Sequence, residues 1–138
     1  MEITQKSFLT SLCASNPDAV IIGSIGTISY DLKDIHHEKK ILLKGAMGAA
    51  LGVGLGYALS SKDQVIVVIG DGSFLMQMGA LSTIIKHNLP NLQIIIIHNG
   101  SYASCGGQKT NFESIKYLLP GNIHVYEDIH EQINRATC

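Results

Sequence analysis

Charge is what this sequence has least of. Asp, Glu, Lys and Arg make up 15% of its 138 residues, against roughly 25% in an average soluble domain. Ten basic and eleven acidic side chains leave a formal net charge of −1, which gives no electrostatic footprint for nucleic acid or an anionic membrane. Hydrophobic residues reach 46%. That excludes disorder and, with so little charge, implies that part of the outer surface is covered by another chain. Cysteine is scarce as well. Cys13, Cys105 and Cys138 lie far apart and form no CxxC, which argues against a zinc ribbon, a thioredoxin-type pair and a cysteine-held iron–sulfur cluster. Free thiols fit a reducing cytosol. The N-terminus lacks the charged-then-apolar order of a signal peptide, so a cytoplasmic protein is expected. No linker, repeat or low-complexity segment interrupts the chain, and residues 1–138 are read as one domain.

What is present is an alternation of apolar runs and helical patterns. Helices are expected over Ile3–Ala14, Ile28–Ile35, about Ala46–Leu59 and Ser73–His87, from their apolar spacing and stop signals. Strands are expected at Ala19–Ile22, Ile41–Leu43, Gln64–Ile69 and Leu92–Ile97, the last with four consecutive isoleucines. His36–Lys40 is read as a solvated loop. The tail repeats the pattern weakly, with a helix near Phe112–Leu119, a strand near Ile123–Tyr126 and a helix from Asp128. No final apolar strand is expected to close the sheet. Continuous apolar strands alternating with helices predict α/β architecture, a doubly wound parallel sheet with helices on both faces. The uncharged Gly45–Ser61 is at the lower length limit for a membrane span, but its five glycines favour a closely packed soluble helix. Gly52-Val53-Gly54-Leu55-Gly56 falls inside that helix rather than after a strand, so it is not a dinucleotide fingerprint.

In such sheets ligands bind beyond the carboxyl ends of the strands. Gly23–Thr27, Gly70–Ser73 and His98–Gln108 converge there. Glycines just after strands let backbone N–H groups approach a phosphate. Asn99 follows Asp71 by 28 residues, one crossover helix and one strand, so the two emerge side by side. A carboxylate and an amide oxygen beside such amides suit a Mg²⁺-bound diphosphate.

Gly70-Asp71-Gly72 with Asn99 at the next strand end resembles the diphosphate-binding motif of thiamine-diphosphate enzymes. Gly45-Ala46-Met47-Gly48 resembles their loop before a glycine-rich helix. Gly106-Gly107-Gln108-Lys109-Thr110 is similar to the phosphonopyruvate and sulfopyruvate decarboxylases in particular. The resemblance implies Mg²⁺ ligation by Asp71, Asn99 and the Ser101 carbonyl. It implies cofactor contacts from Gly26, Thr27, Gly70, Gly72, Ser73 and Tyr102. Met47 would hold the cofactor bent, and the Gly45 carbonyl would accept from its pyrimidine amino group; these two are the catalytic candidates.

Two departures stand out. His98 occupies the place of the family's first asparagine. The glutamate that the family uses to activate the pyrimidine ring has no counterpart among the eleven acids, so a second subunit carrying the pyrimidine-binding domain and that glutamate is expected, in a hetero-oligomer. The expected function is a two-chain decarboxylase of a small 2-oxo acid. Rival readings are a carboligase subunit of the acetolactate synthase kind, a non-catalytic cofactor-binding module and a Rossmann-type nucleotide domain. Cys105 is read as a small space-filling residue, and His130-Glu131 has no second histidine at zinc-protease spacing.

Overall fold

Valine and isoleucine fill the central strands because both faces of the sheet are covered. A computed structural model describes residues 4–128. Its elements run α1 (Gln5–Ser15), β1 (Val20–Gly23), α2 (Thr27–Asp34), β2 (Lys40–Leu42), α3 (Ala49–Ser60), β3 (Val65–Gly70), α4 (Asp71–Met76), α5 (Leu81–His87), β4 (Leu92–His98) and β5 (Ile123–Glu127). The five strands form one sheet in the order β2-β1-β3-β4-β5, and every pairing is parallel. Along each strand the side chains alternate between two cores. Val20, Ile22, Val67, Ile69, Ile94 and Ile96 join Leu51, Leu55 and Phe74 on one face. Ile21, Ile66, Val68, Ile95 and Ile97 join Leu9, Ile28 and Leu32 on the other. α3 lies close on the first face because Gly54 has no side chain; a Cβ there would stand 2.1 Å from Val67 Cγ2.

Several expectations need correction. The helix expected over Ser73–His87 is two helices, α4 and α5, separated by a 3₁₀ turn at Met78–Ala80. Residues 76–79 are all exposed, so no buried face holds a continuous helix there, and Gly79 weakens it further. α3 begins at Ala49 rather than Ala46, because Ala46 (φ 55) and Gly48 (φ 89) are left-handed, a conformation no right-handed helix contains. Phe112–Leu119 forms two 3₁₀ turns, Phe112–Ser114 and Lys116–Leu118, rather than one α-helix. The strand expected near Ile123–Tyr126 is present as β5, and it closes the sheet after all, pairing with β4 from Ile94↔Ile123 to His98↔Glu127. Its polar residues reflect an edge position.

His36–Lys40 is not uniformly solvated. His37 is buried, with Nε2 2.7 Å from the Ala19 carbonyl oxygen. Lys40 Nζ donates to the Leu32 and Ile35 carbonyls, at 2.8 and 2.5 Å, and so caps the end of α2. Among the described residues no helix is long and apolar enough to cross a membrane. The helix expected beyond Asp128, together with His130, Glu131 and Cys138, lies outside the described residues.

The order of strands fixes where a ligand can bind. From β1 the chain steps outward to β2, then crosses back to β3 and continues the other way. The loops after β1 and β3 therefore diverge and leave a crevice between them.

Candidate functional site

An open cleft occupies that crevice. From the β1 side it is lined by Ile25, Gly26, Thr27 and Ile28, and from the β3 side by Gly70, Asp71, Gly72 and Ser73. The chain after β4 contributes Asn99, Ser101, Tyr102, Ala103, Ser104 and Cys105. Met47 enters from the loop before α3, and Gln5 from α1. Every residue given a cofactor or metal role from the sequence lines this cleft except Gly45, which is exposed and not among the lining residues. Cys105 is exposed at the cleft rather than filling space.

Asp71 is 2% exposed. Its Oδ1 accepts from the Gly72 amide at 3.0 Å. Its Oδ2 accepts from the Gly100 amide at 3.0 Å and from the Thr110 hydroxyl at 2.7 Å. Burial pushes the Asp71 carboxyl above the usual carboxylate range, opposed by the Thr110 hydroxyl, the nearby His98 and the two amides. A cation would relieve that cost of burial. Gly72 must be glycine, because a Cβ there would stand 2.6 Å from the Tyr102 ring.

The chain from Gly100 to Thr110 is an ordered loop. Ser101 and Lys109 form an antiparallel bridge. The Tyr102 amide donates to the Gln108 carbonyl at 2.8 Å, and the Thr110 amide to the Gly100 carbonyl at 3.1 Å. Asn99 Oδ1 accepts from the Ser101 amide at 3.0 Å, which orients its side-chain oxygen beside the cleft.

Behind Asp71 runs a network of ionisable side chains that the sequence did not reveal. His98 is 1% exposed, with Nε2 3.7 Å from Asp71 Oδ2 and Nδ1 2.7 Å from Glu127 Oε2. Glu113 Oε1 lies 3.3 Å from the same nitrogen. Lys116 Nζ donates to Glu113 at 2.7 Å and to Glu127 at 3.1 Å. Burial raises the Glu127 carboxyl, but hydrogen bonds from His98 and Lys116 outweigh it and hold it below the usual range. The spacing of His98, Glu113 and Glu127 would suit a cation, yet the Lys116 ammonium already serves both carboxylates. Thr110 was also missed as a partner of Asp71. Its only signal was its place at the end of the Gly106–Thr110 motif.

A parallel sheet with a buried carboxylate in the crevice at its switch point defines a ligand-binding α/β domain. Residues 22–133 match the family model described as thiamine pyrophosphate enzyme, C-terminal TPP binding domain, and the chain belongs to that family. It is 45% identical over 95 residues to the sulfopyruvate decarboxylase subunit beta of Methanocaldococcus jannaschii, covering 67% of this chain and 50% of that one. It is 39% identical over 109 residues to the phosphonopyruvate decarboxylase of Streptomyces viridochromogenes, covering 78% of this chain and 28% of that one. The chain thus spans half or less of the length of these two relatives. A solved structure from Mycobacterium smegmatis, described as a candidate thiamin diphosphate-dependent enzyme, shares the fold. It superimposes with a TM-score of 0.61 at 23% identity over 91% of this chain and 31% of that one.

Proposed function

We propose that this chain is the diphosphate- and Mg²⁺-binding subunit of a two-chain, thiamine-diphosphate-dependent decarboxylase of a small 2-oxo acid, sulfopyruvate or phosphonopyruvate being the leading class. The observation that carries the reading is Asp71, a buried carboxylate lining an open cleft and held by three hydrogen bonds. Hard divalent cations take oxygen ligands, and Asn99 and Ser101 line the same cleft as Asp71. Gly26, Thr27, Gly70, Gly72 and Ser73 would hold the diphosphate, with Tyr102 alongside. Met47, unbranched and polarizable, would set the bend of the cofactor, and the Gly45 carbonyl would accept from its amino group. When bound, thiamine diphosphate supplies the electron sink that decarboxylation of a 2-oxo acid requires.

Asp71 is the only acid lining the cleft among the described residues. A glutamate that activates the cofactor would therefore come from a partner chain. Similarity to a protein named as a β subunit supports this. So do the low charge and the outer face of α3, where Gly52 and Gly56 have open space above them.

The test is CO₂ release from sulfopyruvate and phosphonopyruvate with Mg²⁺ and thiamine diphosphate, by the chain alone and after adding a pyrimidine-domain chain. Turnover is expected only in the mixture; general acid–base assistance of this kind is worth about 10²–10⁴-fold. Decarboxylation by the isolated chain that no partner improves would refute the two-chain reading. Acetolactate formation from pyruvate by the mixture would replace decarboxylase with carboligase. Tight cofactor binding without turnover in any mixture would make the chain a non-catalytic module.

A further inference from the structure

We propose that Thr110 is a positioning residue that commits one oxygen of Asp71 to the Gly100–Thr110 loop and leaves the other to the cation. The proposal rests on the reading of Asp71 as a Mg²⁺ ligand. An ionised carboxylate offers about four acceptor positions, two on each oxygen. Oδ2 fills both of its own, with the Gly100 amide at 3.0 Å and the Thr110 hydroxyl at 2.7 Å. His98 Nε2 stands 3.7 Å from that same oxygen, which closes its remaining approach. Oδ1 accepts one hydrogen bond, from Gly72. A cation is therefore met by Oδ1 alone, through a single oxygen.

The two groups that hold Oδ2 stand at the two ends of one loop, and Thr110 also donates its amide to the Gly100 carbonyl at 3.1 Å. Between them the loop carries Ser101, Tyr102, Ala103, Ser104 and Cys105 to the cleft. One carboxylate thus joins the cation position to the neighbouring loop after β4. Linkage makes such coupling reciprocal: what the cation gains from an ordered loop, the loop gains from a bound cation. Hydrogen bonds to a ligating group commonly contribute 10- to 100-fold in metal affinity. Thr110 is 6% exposed, and valine matches its shape while lacking the hydroxyl.

Two readouts on the full chain decide it. In titration calorimetry of Mg²⁺ with thiamine diphosphate, Thr110→Val should bind about 10- to 100-fold more weakly than the wild type, and Thr110→Ser, which keeps the hydroxyl, should bind like the wild type. In limited trypsin digestion, cleavage after Lys109 should be faster in Thr110→Val, and added Mg²⁺ with thiamine diphosphate should slow it in the wild type and in Thr110→Ser. If Thr110→Val does not fold, Thr110→Ala removes the hydroxyl instead and carries the same expectations. A wild-type chain that binds no Mg²⁺ and thiamine diphosphate overturns the reading of the site, and the cation half of this proposal with it. A binding wild type matched by Thr110→Val, or a Thr110→Ser as weak as Thr110→Val, overturns the positioning role alone. Equal cleavage after Lys109 in all variants overturns the link to the loop.

Discussion

The two edges of the sheet both bury polar side chains, and they treat them differently. At the amino edge Asn91, His37 and Lys40 end on backbone carbonyls. Asn91 Nδ2 is shared among the carbonyls of Ala58, Ser61 and Asp63 at 3.0 to 3.2 Å. His37 meets Ala19, and Lys40 closes the end of α2. At the carboxyl edge the polar groups meet one another. Asp71, His98, Glu113, Glu127 and Lys116 form one chain of ionisable side chains, and its inner end faces an open cleft. Side chains that satisfy backbone carbonyls stabilise loops. A buried carboxylate raised by its own burial is costly to hold, and such groups cluster at functional sites. The contrast separates structural polarity from the polarity of the site.

The largest effect should come from Asp71→Ala. It is expected to abolish Mg²⁺-dependent binding of thiamine diphosphate, read by calorimetry, while the unliganded chain still folds, read by a cooperative thermal transition. Unchanged affinity would erase the distinction between the edges. Met47→Ala should follow, lowering turnover of the two-chain complex on the order of 10- to 100-fold while cofactor affinity changes less. A wild-type rate at saturating cofactor would remove Met47 from the site.

At the opposite edge, Asn91→Ala should reverse the pattern. Leaving buried carbonyls unpaired costs about 1–3 kcal/mol of stability, seen as a lower midpoint in urea, with cofactor affinity intact. The smallest effect belongs to Glu127→Gln, and its sign follows from protonation. The Glu127 carboxyl is held below its ordinary value of 4.5 in the folded chain, so its contribution is present above that value and lost as pH falls through the folded pKa. The variant should be less stable at neutral pH by under about 1 kcal/mol, since the group is partly exposed, and should match the wild type in acid. Asp71 carries the opposite sign, because its pKa is raised. Its contribution falls as pH rises through the folded pKa, so the two groups tilt the stability curve in opposite directions.

The sequence made the centre of the sheet legible because burial on both faces leaves an uninterrupted apolar run, as in Val65–Ile69 and Leu92–Ile97. It also placed Asp71 beside Asn99, since one crossover between neighbouring parallel strands puts their ends together. The edges were harder. β5 alternates polar and apolar residues because it has one neighbour, and the turns at Met78–Ala80 and Phe112–Leu118 depend on which residues find cover. The partners of Asp71 and His98 lay furthest from view. Thr110 reaches Asp71 across 39 residues, and Glu127 reaches His98 across 29. The first meeting depends on a loop that turns through positive φ at Gly100, Gly106 and Gly107, and the second on the register that sets β5 against β4 with His98 opposite Glu127; no periodicity encodes either.

Hydrogen–deuterium exchange of the full chain, with and without Mg²⁺ and thiamine diphosphate, tests the central claim most directly. Protection is expected in the amides of Gly70–Phe74 and Asn99–Thr110, with no change at Ser61–Val65 or Leu89–Leu92 on the opposite edge. Protection at the amino edge, or none at Gly72, Gly100 and Thr110 under saturating ligand, would contradict the assignment of the carboxyl edge as the cofactor site.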